Sequence, residues 1–459
     1  MRIFGGFNRT IKISISLVDM FVYHLAFLVS FYVRYGERPI FNYSAYRSAL
    51  IYILIAFTLI NVFSGIYTLY NKKTIDMFST TLISQLMMSV IIMAMTYFGR
   101  WFAFPRTIIG ISLIVSTIFL TIWRIIVLEY YMRSSGMSRV MIVGPEEMSK
   151  EAIYNIDASR TIQYKVTAVA YCDYFNHIKE NINDIDVFYL LDFESRLQEE
   201  QILSYLTLHK KRIFLSNRFE NILRVNNRIM NIDDESIIAI SKFEISPEND
   251  TIKIMIDFLI SLILIVLTSP VMLITALLIK LTSKGPILYK QIRITKGNKE
   301  FEIYKFRTMR IDAEDLSGPV LAQSEDPRIT KIGKHLRSLR IDELPQLFNV
   351  LKGEMSLIGP RPERPFFVEQ FNEENPYYYL RHNVRAGITG YAQVYGKYST
   401  TFYNKLKFDL VYIKNYSLIL DLQILFQTVK ILFDKVSSQG LEDMTLKDYQ
   451  ISEDIKIFK

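Results

Sequence analysis

The residues best suited to chemistry are the adjacent carboxylates Asp342 and Glu343, which follow Arg337 and Arg340 along the chain. Arginine forks bind phosphate oxygens two at a time. Magnesium pairs with one or two carboxylates and substrate phosphates, and an aspartate can attack phosphorus to form an acyl phosphate. The combination favours magnesium-assisted phosphoryl chemistry. Taken singly, each spacing also fits a solvated helix of Arg, Asp and Glu, which is the more common explanation.

Basic and glycine-proline motifs surround these carboxylates. Four segments share this character: Lys305–Met309 (KFRTM), Arg337–Gln346 (RSLRIDELPQ), Met355–Pro362 (MSLIGPRP) and Arg385–Val394 (RAGITGYAQV). The P-loop pattern fails here, because Lys397 is followed by Tyr398 and the earlier glycine lies at the wrong spacing. Phosphate binding, if present, must therefore rest on side-chain cations.

Composition excludes several other chemistries. Cys172 is the single cysteine, so neither an intrachain disulfide nor a cysteine-based zinc site can form. The five histidines are widely spaced, which leaves little material for a histidine metal centre or a serine-type triad. A net charge of +8 without a dense Lys/Arg run fits an anionic membrane face or phosphorylated substrates, and we expect no nucleic-acid partner.

The elements that must position these groups begin with a membrane-like N-terminal third. Half of the 459 residues are hydrophobic, and long runs without charge cover 48–71, 79–99 and 107–123. Residues 13–33 are apolar except for Asp19 and His24. A bilayer core needs about 20 apolar residues as a helix, so residues 1–135 are predicted to form four transmembrane helices. Basic residues divide five against five between the two faces, so orientation is not encoded.

Residues 136–248 alternate between short apolar strands and charged helical stretches. This rhythm predicts a Rossmann-like α/β domain, with strands near 139–144, 166–171, 186–191 and 212–215. The glycine fingerprint of dinucleotide binding is absent from the sequence after Gly144. Structural or regulatory use and a bound nucleotide both remain open, with the first preferred.

A fifth apolar run, 258–279, has Ser269 and Pro270 in its middle. Proline removes a backbone hydrogen bond, and each half is too short to cross a core of ~30 Å. A kinked span and a re-entrant helix that returns to the same face are both compatible with this pattern. In the re-entrant case Lys253 and Lys284 would share one side and meet anionic headgroups.

From about residue 250 to 430 the sequence resembles the bacterial sugar transferase family, the monotopic polyprenyl-phosphate phosphoglycosyl transferases. The resemblance is carried by Ser269-Pro270, the KFRTM, DELPQ and GPRP motifs, and Gly387–Gly390. It implies a re-entrant membrane helix at 249–282 and a catalytic α/β domain at 283–459, so the re-entrant alternative is favoured. The front of the chain matches, more weakly, the large members that start capsule, exopolysaccharide or O-antigen synthesis.

The resemblance also implies roles. Asp342 matches the nucleophile, which would take the phosphosugar from a UDP-sugar, release UMP and pass the phosphosugar to undecaprenyl phosphate by a ping-pong mechanism. Glu343 matches its partner in Mg²⁺ binding, and with Asp342 it forms the implied metal site. Four cations match positions for substrate phosphates or nucleotide: Lys305, Arg307, Arg337 and Arg361. The implied location is the bacterial inner membrane, with the catalytic domain in the cytoplasm.

The sequence departs from the family pattern at three positions, where Ile254, Thr295 and Glu354 replace a base, a glycine and an aspartate. Residues 377–381 fit either core packing or an interfacial aromatic patch. The sugar is open among glucose, galactose, N-acetylhexosamines and modified sugars, and a homodimer is one open option for the oligomeric state. The competing classes are an inactive binding or regulatory membrane protein and a transporter, for which Asp19 and Arg124 would be the charges within the spans.

Overall fold

The computed structural model describes residues 9–37, 39–69, 72–101, 103–158, 163–193, 195–310, 328–396, 400–433, 449 and 451–458. The chain divides into two compact units. The first comprises residues 1–216 with 444–459, and the second comprises residues 217–443.

The first unit begins with long apolar helices, which confirms the prediction of such helices near the N-terminus. They are α1 (Arg9–Tyr35), α2 (Ile40–Phe63), α3 (Thr74–Phe98) and α4 (Arg106–Ser135). These four and one helix of the second unit are, among the described residues, long and apolar enough to cross a membrane by length and composition. Exposed leucine, isoleucine and phenylalanine side chains cover their outer faces, as expected of helices that meet lipid. The chain is a membrane protein.

A buried ion pair joins two of these helices. Arg124 Nη2 on α4 lies 2.6 Å from Asp19 Oδ2 on α1, and neither side chain is more than 2% exposed. The same guanidinium donates to Asn61 Oδ1 on α2 at 2.8 Å and to Thr81 Oγ1 on α3 at 2.9 Å. Tyr67 also donates to Asp19 Oδ2. Arg124 therefore joins α4 to the other three helices, and its charge is compensated within the bundle.

A parallel sheet follows, as the alternating pattern predicts. Its strands and helices are β1 (Ser138–Val143), α5 (Glu146–Ala158), β2 (Tyr164–Ala170), α6 (Tyr174–Asn181), β3 (Val187–Leu190), α7 (Arg196–Leu208) and β4 (Arg212–Leu215). With the strand Lys456–Phe458 (β11) at one edge, the strand order is β11-β2-β1-β3-β4, and every pairing is parallel. The three inner strands β1, β2 and β3 are apolar and mostly buried, because helices cover both faces of such a sheet.

The edge strand β11 (Lys456–Phe458) lies within residues 283–459, the predicted catalytic domain, but it belongs to the sheet of the first unit. It pairs with β2, and the Phe458 carbonyl accepts a hydrogen bond from Tyr171 N. Ile455 and Phe458 pack against the cores on the two faces of this sheet. The last residues therefore complete the sheet of the first unit, since they cover an edge that β2 would otherwise expose.

The second unit holds the motif-rich region. Its elements are α8 (Phe219–Leu223), β5 (Arg228–Ile232), β6 (Glu235–Ala239), α9 (Pro247–Thr282), β7 (Leu288–Ile294), β8 (Glu300–Phe306), α10 (Lys331–Ser338), α11 (Gln346–Leu351), β9 (Ser356–Ile358), α12 (Pro365–Glu374), β10 (Gly387–Thr389), α13 (Tyr391–Tyr395), α14 (Phe402–Lys414) and α15 (Leu418–Phe433). β7 and β8 form an antiparallel hairpin, β5 and β6 a second one, and β9 pairs with β10 in parallel. Residues 217–246 pack into this unit, since Ile222, Phe243 and Ile245 join its core, so the predicted domain boundary at 248 lies later than the observed one.

Helix α9 runs unbroken through Ser269 and Pro270. Proline has no N–H to donate to the carbonyl four residues earlier, which belongs to Val266. The Ser269 hydroxyl donates to that same carbonyl at 2.8 Å. The serine thus replaces the hydrogen bond that the proline removes, and the helix continues. The re-entrant course of this helix in a bilayer stays a prediction.

One stripe of α9 packs along the second unit over the whole length of the helix. Lys253, Asp257 and Ser261 near its start and Thr275 and Ile279 near its end are buried. The remaining faces are apolar and largely exposed over residues 254–278, and the exposed Lys280 follows near the end of the helix. Both ends of the helix therefore lie against the same unit, while an uninterrupted apolar surface faces outward.

Candidate active site

A short turn of 3₁₀ helix, Ile341–Glu343, carries the two carboxylates between α10 and α11. Arg340 begins the turn in the left-handed region, with φ of 56°. Asn349 on α11, the helix that follows the turn, makes two side-chain hydrogen bonds to the backbone of β8. Its Oδ1 accepts from Tyr304 N at 3.0 Å, and its Nδ2 donates to Glu302 O at 2.7 Å. The turn is thereby held against β8.

Three cations converge on Glu343 from three separate segments. Lys305 Nζ on β8 and Arg361 Nη2 in the loop after β9 each lie 3.3 Å from Glu343 Oε1. Arg340 Nη1 lies 3.8 Å from the same oxygen. Glu343 is 11% exposed, whereas Arg361 is 40% exposed. The cluster is buried on the carboxylate side and open on the arginine side, so Arg361 can reach a ligand without leaving Glu343.

The neighbouring carboxylates have opposite electrostatic environments. Burial opposes ionisation of Glu343, but Lys305 and Arg361 outweigh it and lower the pKa of this carboxyl to about 2. Burial, followed by the charge of Glu343, raises the pKa of Asp342 above its usual value. Burial also lowers the pKa of Lys305, against the pull of Glu343. Glu343 is therefore a fixed anion, and Asp342 is the more basic of the two carboxylates.

Asp342 is buried, and its Oδ1 has no hydrogen-bond partner among the described residues. A buried acceptor of this kind costs free energy in the folded protein, so it usually serves a ligand or a reaction. Desolvation and a raised pKa both strengthen a carboxylate as a nucleophile. Asp342 is the residue that the family resemblance implies as the nucleophile, and this role stays a prediction.

The other two predicted phosphate ligands lie on different elements. Arg337 on α10 donates through Nε to Thr308 Oγ1 at 2.9 Å, which fixes it beside the KFRTM segment. Arg307 is 6% exposed, and its Nη2 donates to the carbonyl and hydroxyl of Ser283. The described hydrogen bonds of Arg307 thus hold the residue that follows α9. Its role as a phosphate ligand stays a prediction.

The residues fit a magnesium ion held by few protein ligands. No group of three or more His, Cys, Asp or Glu that could hold a metal occurs among the described residues. Magnesium does not require such a cage, because it is commonly bound by one or two carboxylates plus substrate phosphates and water. Asp342 and Glu343 offer hard carboxylate oxygens next to each other in the chain. The donor set therefore matches a metal that arrives with phosphates.

Lys253 does not lie where the sequence analysis placed it. The expectation that it meets anionic headgroups is wrong, because it is 3% exposed and its Nζ lies 2.5 Å from Asp421 Oδ2 on α15. Tyr412 donates to the other oxygen of Asp421 at 2.8 Å. The first turns of α9 are therefore fixed by a buried ion pair, despite Ile254 in place of a second base. Lys284 is exposed.

Several supporting residues were not identified as site residues from sequence. Arg381 is buried and pairs with Asp409, so this part of residues 377–381 is core packing, although Tyr377 and Tyr379 are exposed. Arg293 in β7 donates to the Pro362 carbonyl. Arg381 and Arg293 are hard to recognise from sequence, because an arginine that binds a backbone carbonyl far along the chain has no characteristic spacing from its partner.

Known proteins match the part of the chain that holds this site. A family model described as "Bacterial sugar transferase" matches residues 248–435. The match includes α9, the KFRTM segment, the Asp342–Glu343 turn and the loop of Arg361. It begins one residue after the start of α9, so the membrane-associated helix and the carboxylate cluster are parts of one conserved domain type.

Three relatives cover the same region. UDP-N-acetylgalactosamine-undecaprenyl-phosphate N-acetylgalactosaminephosphotransferase of Aeromonas hydrophila is 52% identical over 188 residues, 40% of this chain and 44% of the relative. UDP-glucose:undecaprenyl-phosphate glucose-1-phosphate transferase of Klebsiella pneumoniae is 32% identical over 290 residues, 61% of each chain. A putative undecaprenyl-phosphate N-acetylgalactosaminyl 1-phosphate transferase of Bacillus subtilis (strain 168) is 49% identical over 151 residues, 32% of this chain and 84% of the relative. The matches thus span 44% and 61% of the first two relatives, about half their length.

Proposed function

Because this chain belongs to the bacterial sugar transferase family, we propose that it transfers a sugar-1-phosphate from a UDP-sugar to undecaprenyl phosphate and releases UMP. The names of the relatives from Aeromonas hydrophila and Klebsiella pneumoniae describe this type of transfer to undecaprenyl phosphate. In the proposal the product is undecaprenyl diphosphate sugar, made as the first membrane step of capsule, exopolysaccharide or O-antigen synthesis.

The proposed reaction has two displacements at one phosphorus atom. An Asp342 carboxylate oxygen attacks the phosphorus that bears the sugar, and the bond from that phosphorus to the bridging oxygen breaks, so UMP leaves. A phosphate oxygen of undecaprenyl phosphate then attacks the same phosphorus and expels the aspartate. The enzyme returns to its initial state, as a ping-pong mechanism requires. Lys305, Arg337 and Arg361 would bind the phosphate oxygens of the substrates.

The single observation that carries this proposal is the difference between the two adjacent carboxylates. Glu343 is engaged by Lys305 and Arg361 at 3.3 Å each, so it is a poor nucleophile. Asp342 Oδ1 has no partner among the described residues, and burial raises the pKa of Asp342. This division supports a nucleophilic role for Asp342 and a charge-balancing role for Glu343.

Magnesium is the proposed cofactor, with Asp342 and Glu343 as its protein ligands. The ion would neutralise the charge of the diphosphate and reduce its repulsion of the carboxylates. Lys305 and Arg361 already balance the charge of Glu343 before any substrate binds. We expect transfer to stop in excess EDTA and to return when Mg²⁺ is added. Full activity in excess chelator would contradict the metal assignment.

The proposed membrane arrangement has four spans in α1–α4 and a re-entrant α9. The polar side chains of α9 at both ends pack on the same unit as the active site, which supports entry and exit on one face. We place that face in the cytoplasm, where nucleotide sugars occur, and the protein in the bacterial inner membrane. The parallel sheet of residues 138–215 supports a Rossmann-like domain beside these spans.

The sugar proposed first is N-acetylgalactosamine. The relatives at 52% and 49% identity carry this sugar in their names, whereas a glucose-1-phosphate transferase is 32% identical over a longer region. Glucose is therefore the second candidate. The homodimer stays a prediction, which native mass spectrometry of the purified protein tests.

The test of the proposed function uses membranes that contain the protein, undecaprenyl phosphate and radiolabelled UDP-sugars. We expect lipid-linked label with UDP-N-acetylgalactosamine and release of UMP in equal amount. Label with UDP-glucose alone would correct the sugar. No lipid-linked label with any of a panel of UDP-sugars would contradict the transferase and favour a binding protein or a transporter.

A further inference from the structure

The loop that carries Arg361, residues 359–363 (GPRPE, hereafter the Arg361 loop), has an unusual backbone. Its two prolines lack N–H groups, so the loop can donate few hydrogen bonds of its own. Its outer carbonyls are bound by neighbouring backbone: Pro360 O accepts from Gly387 N at 2.9 Å, and Glu363 O accepts from Ile294 N at 3.1 Å. These two bonds fix where the loop begins and ends.

The two central carbonyls are bound by arginine side chains. Arg361 O accepts from Arg381 Nη2 at 2.9 Å, and Pro362 O accepts from Arg293 Nη1 at 3.0 Å. Four successive carbonyls are thus all satisfied. A hydrogen bond from a charged donor contributes more than a neutral one, and an unsatisfied buried carbonyl is costly. The central part of the loop depends on these two arginines.

Each arginine is itself held rigidly. Arg381 is 4% exposed, and Asp409 Oδ2 lies 3.0 Å from its Nε and 2.9 Å from its Nη2, while its Nη1 donates to Tyr378 Oη at 2.6 Å. Arg293 donates to Gln291 Oε1 at 2.6 Å, and its Nη1 lies 3.5 Å from Glu363 Oε2. Neither guanidinium can move without breaking several contacts, so both act as fixed supports.

We propose that Arg381 and Arg293 are positioning residues, which hold the Arg361 loop so that Arg361 meets both Glu343 and a substrate phosphate. They bind the backbone of the loop and leave the guanidinium of Arg361 available. The inference rests on the proposed function, because it assigns the benefit to nucleotide-sugar binding. It predicts that both residues act through Arg361 alone.

The test is a double-mutant cycle on Arg381→Lys and Arg293→Lys, each with and without Arg361→Ala. Lysine keeps the charge opposite Asp409 or Glu363 but cannot reproduce the fork of donors. The readouts are kcat/KM for the UDP-sugar and, in an Asp342→Asn background that prevents turnover, the Kd for UDP-N-acetylgalactosamine by calorimetry. Both are measured on the full-length purified protein.

We expect each lysine variant to raise the Kd about tenfold when Arg361 is present, the loss of one charged hydrogen bond, and less than about twofold when Arg361 is alanine. The KM for undecaprenyl phosphate should not change. Arg385→Lys is the matched control, since this buried arginine binds Asp250 and Asp257 on α9 instead of the loop. Its effect should be equal in the two backgrounds.

The inference would be overturned if Arg381→Lys and Arg293→Lys raised the Kd by the same factor with and without Arg361→Ala. Such additivity would mean that the two arginines affect binding independently of Arg361, as a general effect on folding would. Arg293 is 18% exposed, so its variant remains informative should Arg381→Lys fold poorly. UDP-sugar binding by the wild-type protein without transfer to lipid would contradict the proposed function, and the Kd cycle would still test the two arginines.

Discussion

Lys305 Nζ lies 3.3 Å from Glu343 Oε1 and joins β8 to the 3₁₀ turn that presents Asp342. The ammonium and the carboxylate are 19% and 11% exposed, so water screens their attraction only weakly. Lys305 and Arg361 together lower the pKa of Glu343, whereas the pKa of the adjacent Asp342 is raised. The division of roles between the two carboxylates depends on this ion pair.

Removal of Lys305 should disturb catalysis before stability. We expect Lys305→Met to lower kcat for UMP release at least ~10-fold, because an electrostatic contact inside a buried site is lost. Lys305→Arg should recover part of the activity, since it restores the charge. Lys290→Met on the paired strand is the control, because its ion pair with Glu302 is exposed and contributes little. Equal losses at both lysines would contradict a specific role for Lys305.

The Ser269 hydroxyl should matter only while Pro270 is present. Ser269→Ala leaves the Val266 carbonyl without the donor seen at 2.8 Å, which we expect to lower stability by about 1–3 kcal/mol. In Pro270→Leu the backbone N–H returns, and Ser269→Ala should then be nearly neutral. Thermal unfolding in nanodiscs measures all four proteins of this cycle.

Thr268 offers a matched control for that experiment. Its hydroxyl donates to the Leu264 carbonyl at 2.7 Å, but that carbonyl can also accept the Thr268 backbone N–H within the helix. Thr268→Val should therefore have a small effect with or without Pro270. If Ser269→Ala costs the same in the Pro270→Leu background, the serine does not compensate for the proline.

The ion pair between Asp19 and Arg124 should be required for a stable helix bundle. Arg124→Leu leaves a buried aspartate without its counter-charge, and we expect a loss of about 3–5 kcal/mol. The double variant Asp19→Leu with Arg124→Leu should recover much of that loss. Arg133→Leu is the control, because its ion pair with Glu129 is exposed. Detergent thermal shift distinguishes these cases, and an additive double variant would contradict the coupling.

His382 should make the protein less stable in mild acid. Burial, then the charge of Arg381, lowers the pKa of His382 to about 3. In the unfolded chain His382 binds a proton with the ordinary histidine pKa of about 6.5. Below that pH the unfolded chain therefore binds more protons than the folded protein, which destabilises the fold. Stability should be full above pH 6.5 and should fall by up to ~1.4 kcal/mol per unit as the pH drops toward 3.

The measurement compares Tm at pH 7.5 and 5.5 for the wild type and His382→Gln. Other titrating groups affect both proteins, so the difference between the two slopes isolates His382. We expect the variant to lose less stability on acidification than the wild type. Parallel slopes would show that His382 is not buried as a neutral ring.

Much of the local structure could be predicted because it leaves local signals. Runs without charge indicated the apolar helices, and alternation indicated the parallel sheet. The family resemblance implied site roles for Lys305, Glu343 and Arg361. In the structure the Lys305 and Arg361 side chains each lie 3.3 Å from Glu343 Oε1. These groups were predictable because motif identity carries their three-dimensional arrangement.

Long-range partners could not be predicted in the same way. Lys253 pairs with Asp421, 168 positions away, and β11 pairs with β2 from the end of the chain. Nothing in either segment alone specifies its partner. The contact of Arg307 Nη2 with the carbonyl and hydroxyl of Ser283, 24 positions earlier, is another such pairing.

The central claim is that Asp342 becomes covalently linked to the phosphosugar, and trapping that species tests it most directly. The purified protein is incubated with sugar-labelled UDP-N-acetylgalactosamine and Mg²⁺ without undecaprenyl phosphate, and protein-bound label and UMP are counted. We predict equal amounts of both on the wild type, discharge of the label by undecaprenyl phosphate, and neither label nor UMP with Asp342→Asn, which keeps shape but loses the attacking charge. Turnover or labelling of Asp342→Asn at the wild-type level would contradict the account.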